Sequence, residues 1–115
     1  MNAYRVSFDL LEELQRVIPR AFRLVIPKQV KRELSEISKG GGETAAAARL
    51  ALGLTSGIEV VPVEGDYGDE AILALVESLN GDVVVCTNDR DLKNILKARG
   101  VRVIGVRRNS HLDFL

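Results

Sequence analysis

The feature that most constrains this chain is a β-branched run that gives way to paired carboxylates: Val83-Val84-Val85-Cys86-Thr87-Asn88-Asp89-Arg90-Asp91-Leu92. The apolar half reads as a strand buried on both faces, as in parallel sheets. Helical spacing follows at Leu92, Ile95 and Leu96. Asp89 and Asp91 therefore fall where a strand hands over to a helix, the edge at which open α/β sheets bind ligands. The alternative is that one of them only caps the helix, since Asp is a favoured N-cap. The choice depends on whether other acids reach the same edge.

The rest of the chain repeats that alternation. Leu10, Leu11, Leu14, Val17 and Ile18 form one amphipathic face, so 7–18 reads as a helix, with Ser7 as N-cap and Pro19 as stop. Residues 22–26 read as a strand, and Pro27 opens a helix where a missing N–H does no harm. Val30, Leu34 and Ile37 give that helix its buried stripe, and Glu33 lies at the stripe's edge. Lys39-Gly40-Gly41-Gly42 stops it, and 43–54 is an alanine-rich helix.

A strand at 58–63 and a polar loop at 64–68 lead to a helix that Asp69 opens, with Ile72, Leu73, Val76 and Leu79 inside. Asn80-Gly81 reads as a turn before the central strand. The next helix runs to Arg99, closes on Gly100, and is followed by a strand at 101–106. The tail at 107–115 has no clear period. Strands alternating with helices predict an α/β fold, a parallel sheet with helices on both faces.

With 115 residues, the chain is expected to form one domain, 1–115. It has no run long and apolar enough for a membrane span and no signal-peptide pattern. The one Cys, Cys86, excludes an internal disulfide and fits a reducing, cytoplasmic setting; it reads as a packed residue rather than a nucleophile. Lys plus Arg equals Asp plus Glu at 16 each, so no overall basic charge announces nucleic acid. Lys93, Lys97, Arg99, Arg102, Arg107 and Arg108 nevertheless crowd the last quarter, as a basic rim or as a solvated helix face and tail.

Acids take three equivalent positions. Glu33 lies in the first turns of the helix after the first strand, Asp69 at the start of the helix after the second, and Asp89 with Asp91 after the third. In a parallel α/β layer these all lie outside the carboxyl ends of the strands. Carboxylates gathered there repel one another unless a cation joins them. Oxygen-only ligands suit Mg²⁺ or Mn²⁺, whereas one Cys and one distant His do not make a zinc site. Such a metal acts on phosphodiesters, and Thr87 and Asn88 are placed to hold the carboxylates or a water by hydrogen bonds. Each acid also has a plainer role to weigh, Glu33 as a solvated helix residue and Asp69 or Asp91 as a cap. Asp66 and Glu70 read as loop and helix-surface charges.

The chain resembles the PIN-domain family, in particular the small archaeal type related to ribosomal-RNA-processing PIN nucleases. The resemblance is carried by Val25-Ile26-Pro27 through Val30-Lys31-Arg32-Glu33-Leu34, Gly68-Asp69-Glu70-Ala71-Ile72-Leu73, and Val85-Cys86-Thr87-Asn88-Asp89-Arg90-Asp91-Leu92, with Gly40 to Gly42 and Gly100-Val101-Arg102-Val103-Ile104 in support. It implies a three-layer α/β/α fold and a metal-dependent ribonuclease using Mg²⁺ or Mn²⁺. Glu33, Asp69 and Asp89 would match the family's metal-binding acids, with Asp91 accessory. Lys93, Lys97, Arg107 and Arg108 would hold the RNA backbone. Members act as toxins paired with an antitoxin or as RNA-processing nucleases, and many dimerise.

In one respect the chain departs from the family pattern, which opens on a strand ending in Asp-Thr-Asn. Residues 2–7 resemble the loop after that strand, and Asp9 does not replace the missing acid. The expectation is that the natural start lies upstream or that the strand is lacking, so that this chain alone is not fully active. The edges left open would invite dimerisation. The alternatives are a non-catalytic PIN-like module binding RNA or protein, and a receiver-like or small-ligand domain. No Lys falls where a receiver requires one, and Gly40-Gly41-Gly42 lacks the Gly-Lys-Ser/Thr ending of a phosphate loop.

Overall fold

A computed structural model describes residues 9–79, 82–108 and 111–115. The expected cap at Ser7, the loop reading of 2–7 and the turn at Asn80-Gly81 lie outside the described residues. Among those described are five helices and five strands, in the order α1 Leu10–Val17, β1 Val25–Pro27, α2 Lys28–Ser38, α3 Gly42–Leu54, β2 Glu59–Val61, α4 Gly68–Ser78, β3 Val84–Cys86, α5 Arg90–Ala98, β4 Arg102–Arg107 and β5 His111–Phe114. No helix among them is long and apolar enough to cross a membrane. The chain divides into two compact units, Phe22–Ser78 and Met1–Ala21 with Leu79–Leu115.

In the Phe22–Ser78 unit, β1 and β2 pair in parallel, Ile26 opposite Val60. Pro27 ends β1 in an extended conformation and is the N-cap of α2, one place before the expected first helical turn. Its missing N–H is harmless there, because the first N–H groups of a helix have no intrahelical partner. Ala45 and Ala48 of α3 and Ala71 of α4 are buried, and small side chains let helices pack closely. The α2 stripe is not the one expected: Ile37 is exposed, Val30 and Leu34 are half-buried, and the buried residue is Gln29. Leu79, expected inside α4, lies beyond the helix end and is exposed.

The other unit carries a three-stranded sheet in the order β3-β4-β5. β3 and β4 are parallel, Val85 opposite Val103, as the alternation of strands and helices predicts. β5 is antiparallel to β4, Val106 opposite Leu112, so the tail without clear period contains a strand. β3 is half-buried rather than buried on both faces, and Cys86 keeps an exposed surface although burial pushes its thiol up to about 11. The densest packing belongs to β4 and α5, where Val103, Ile104, Leu92 and Leu96 have almost no exposure. Ile95, expected on the same face, is exposed.

Side chains set the ends of these elements. Asp9, in extended conformation, caps α1 by accepting the Glu12 N–H at 3.2 Å, which shortens the helix from its expected start. Gly100, at φ 78°, lets the chain turn out of α5: its N–H bonds Lys97 O and the Val101 N–H bonds Leu96 O. That pair of bonds is a Schellman ending, and its left-handed residue favours glycine. The Arg16 guanidinium donates to Leu112 O at 2.7 Å while the Glu13 carboxylate accepts the Leu112 N–H at 3.0 Å. Two α1 side chains thereby occupy both main-chain groups of a residue in β5, one way of blunting a sheet edge. β1 and β3 each have one edge with no strand partner among the described residues.

Candidate active site

In the Phe22–Ser78 unit, the site grows from the junction of β2 and α4. Glu33 projects from α2, and its Oε2 accepts the Gly68 backbone N–H at 2.8 Å. Gly68 is the first residue of α4, whose opening N–H groups have no partner within the helix, and a carboxylate there also answers the helix dipole. The approach is close: a Cβ on Gly68 would stand 2.6 Å from Glu33 Oε1 and 3.2 Å from Val30 Cγ2. Asp69 follows directly, exposed in the first turn of α4. Glu33 is thus tied to the helix start that carries Asp69 rather than solvated on its own. Asp66 and Glu70 are exposed, as loop and helix-surface charges.

In the other unit, the residues after β3 are fixed one by one. Thr87 continues the ladder by donating its N–H to Ile104 O at 2.9 Å. Its hydroxyl accepts the Asp89 N–H at 3.1 Å. The Asn88 amide pairs with both main-chain groups of Val106, its Oδ1 accepting the N–H at 2.9 Å and its Nδ2 donating to the carbonyl at 3.1 Å. Both Asn88 polar atoms are thereby committed to β4, so Asn88 steadies the Asp89 segment through the main chain rather than by bonding a carboxylate. Asp89 is the N-cap of α5, its Oδ1 accepting the Leu92 N–H at 2.9 Å. Asp91 lies exposed in the first turn and is not the cap.

The cationic residues named from sequence belong to this unit. Lys93 is half-buried on α5 and Lys97 exposed in its last turn. Arg107 donates to Phe114 O at 3.1 Å, and Arg108 is exposed at φ 54°. Arg102, in the same basic group, lies over the Phe114 ring at 5.4 Å from its centroid, a cation–π distance. Sequence reasoning missed Gln29, although its spacing of four from Glu33 puts both on one face of α2.

The donor set fits a hard divalent cation in kind. Only carboxylates are offered at these positions, and Glu33 Oε1 and Asp89 Oδ2 are not used by the bonds just described. Within each unit, among the described residues, no group of three or more His, Cys, Asp or Glu gathers closely enough to hold a metal ion.

A family model described as a PIN like domain matches residues 1–109. The chain is similar to ribonuclease VapC4 of Methanocaldococcus jannaschii, 31% identical over 113 residues that make up 96% of this chain and 84% of that protein. It is also similar to ribonuclease VapC9 of Archaeoglobus fulgidus, 37% identical over 82 residues, 70% of this chain and 58% of that protein. Among solved structures, the PIN domain endonuclease Utp24 superposes with a TM-score of 0.68 at 25% identity, over 93% of this chain and 77% of that chain.

Proposed function

This chain belongs to the PIN-domain family, and from that premise we propose that it is a ribonuclease whose acids are Glu33, Asp69 and Asp89, with Asp91 assisting. The match over residues 1–109 supports reading 1–115 as one PIN-like domain. The observation that carries the assignment is the Glu33–Gly68 hydrogen bond, which ties one acid to the helix start bearing another, in a chain whose relatives are named ribonucleases.

The carboxylates proposed to serve Mg²⁺ or Mn²⁺ are Glu33 and Asp69 in the Phe22–Ser78 unit and Asp89 in the other. The ion, when bound, would supply the positive charge that stabilises the phosphodiester transition state and acidify a water. The chain's own part is orientation. Gly68 fixes the Glu33 carboxylate, and Leu92 and Thr87 fix Asp89. Lys93, Lys97, Arg107 and Arg108 hold the RNA backbone, so binding weakens as salt rises.

An antitoxin or an RNA-processing partner is what the resemblance to the PIN-domain family implies for this chain. The edges of β1 and β3 that have no strand partner among the described residues support a homodimer, tested by sedimentation velocity: a monomer at every concentration contradicts it. The lone Cys86 suits a reducing, cytoplasmic setting. The activity is tested by incubating a mixed single-stranded RNA with the protein in Mg²⁺, in Mn²⁺ and in chelator. Cutting that chelator abolishes supports the reading, and cutting that chelator leaves intact removes the metal from it.

A further inference from the structure

One face of α2 holds the loop that leads into α4. Gln29, only 6% exposed, donates its Nε2 hydrogens to Val63 O at 2.5 Å and Gly65 O at 2.7 Å. Arg32 donates to Asp66 O at 2.5 Å. Glu33 reverses the polarity and accepts the Gly68 N–H. Residues three and four apart are neighbours on a helix surface, so positions 29, 32 and 33 share a face. Together they meet main-chain groups of residues 63, 65, 66 and 68, and the next residue is Asp69.

The chemistry of the pocket selects glutamine. Two carbonyl oxygens converge on a buried point, which calls for two donors and no charge. A primary amide supplies both hydrogens from one nitrogen. Lys or Arg would carry an uncompensated charge inside, and Asn is one methylene too short. A flipped amide would set Oε1 against two carbonyl oxygens, so the orientation is fixed. Its consequence is that Gln29 Oε1 is buried with no hydrogen-bond partner among the described residues. Buried polar atoms are normally paired, so this position is not tuned for stability alone.

We propose that Gln29, assisted by Arg32, is a positioning residue for the acids: it fixes the 63–67 loop so that the Gly68 N–H meets Glu33 and Asp69 opens α4 in a single register. Its functional half rests on the nuclease reading of Glu33 and Asp69; its structural half does not.

The test compares the full chain with Gln29→Leu, which keeps the bulk and removes both donors, and with Arg32→Ala and Arg32→Lys, which act at an exposed site. Amide hydrogen exchange is followed by nuclear magnetic resonance, Mn²⁺ affinity by titration calorimetry, and RNA affinity in chelator. In Gln29→Leu, exchange at Gly68 rises about tenfold or more, while Ala48 in α3 exchanges as in the wild type. Mn²⁺ affinity falls by about tenfold to a hundredfold, the usual effect of losing a residue that supports a metal ligand. RNA affinity in chelator does not change. Arg32→Ala shows the same pattern at smaller size, and Arg32→Lys restores it. If Gln29→Leu does not fold, Arg32→Ala decides by the same readouts.

Wild-type exchange at Gly68 in the variants overturns the proposal. So does faster exchange spread equally over α2 and α3, which marks a merely structural role. A wild-type chain that neither binds Mn²⁺ nor cuts RNA defeats the nuclease reading and the functional half with it, while Gly68 exchange still decides the structural half.

Discussion

The Glu33 carboxylate accepts the backbone N–H of Gly68 at 2.8 Å, one residue before Asp69. Two acids that are 36 positions apart in the chain are thereby tied to one helix start. The bond needs a residue without a side chain at 68, since a Cβ would come within 2.6 Å of Glu33 Oε1. Gly68→Ala is therefore expected to displace the carboxylate and to cost about 1 kcal/mol, the worth of its hydrogen bond. Urea denaturation followed by circular dichroism measures the loss, and wild-type stability counts against the contact.

Asp89 has one observed role, as a cap, and one proposed role, as a metal-binding acid, and substitutions can separate them. As N-cap of α5, it loses about 1 kcal/mol of stability on changing to Ala and almost none on changing to Asn, which also caps. As a metal-binding acid, it loses cleavage in both. Asp89→Asn should thus be stable and inactive. A stable Asp89→Asn that cuts RNA at the wild-type rate would leave Asp89 as a cap only.

Asn88 acts as a substitute strand for β4, with two bonds to Val106. Asn88→Ala is expected to cost roughly 1–3 kcal/mol, two ordinary hydrogen bonds, and to loosen the segment that carries Asp89. Asn88→Asp keeps the acceptor for the Val106 N–H but sets an oxygen against its carbonyl, so it does not rescue. Thermal denaturation of the two variants checks this, and full rescue by Asp contradicts the pairing.

The Glu13 carboxylate is held below its ordinary value of 4.5 by its hydrogen bond from Arg16 and then by the Leu112 N–H. A carboxyl group depressed in the folded state stabilises the fold above its unfolded pKa, and that contribution is lost as pH falls through the folded value. Wild type should therefore be more stable than Glu13→Gln at neutral pH, and the gap should close on acidification below 4.5. Paired urea titrations across that range test it, and a pH-independent gap contradicts it.

The α/β alternation was legible because α3 and α5 carry strong local signals, the alanine run and the Gly100 stop, and because the parallel pairing of β3 with β4 follows from the helix between them. The strand β5 was not. It has four residues, too few for a period, and is held by Glu13 and Arg16 from the far end of the sequence. Spacing put Glu33 in the first turns of its helix and Asp69 and Asp89 at helix starts, but did not show what fixes them. The role of Gln29 depends on carbonyl groups more than thirty residues away, and no local pattern announces that a polar residue will replace Ile37 as the buried one. The cap could have been Asp89 or Asp91, and only the backbone of Asp89, extended just before the helix, decides it.

The proposed ribonuclease activity requires that Asp69, at the start of α4, take part in RNA cleavage. Asp69→Asn removes its charge while leaving its size, so the variant keeps the fold. Wild type and variant should be incubated with the same single-stranded RNA in Mn²⁺, with folding checked by circular dichroism. Cutting by the wild type and none by Asp69→Asn is the expected result. Equal cutting by both, or a folded wild type that leaves the RNA intact, contradicts it.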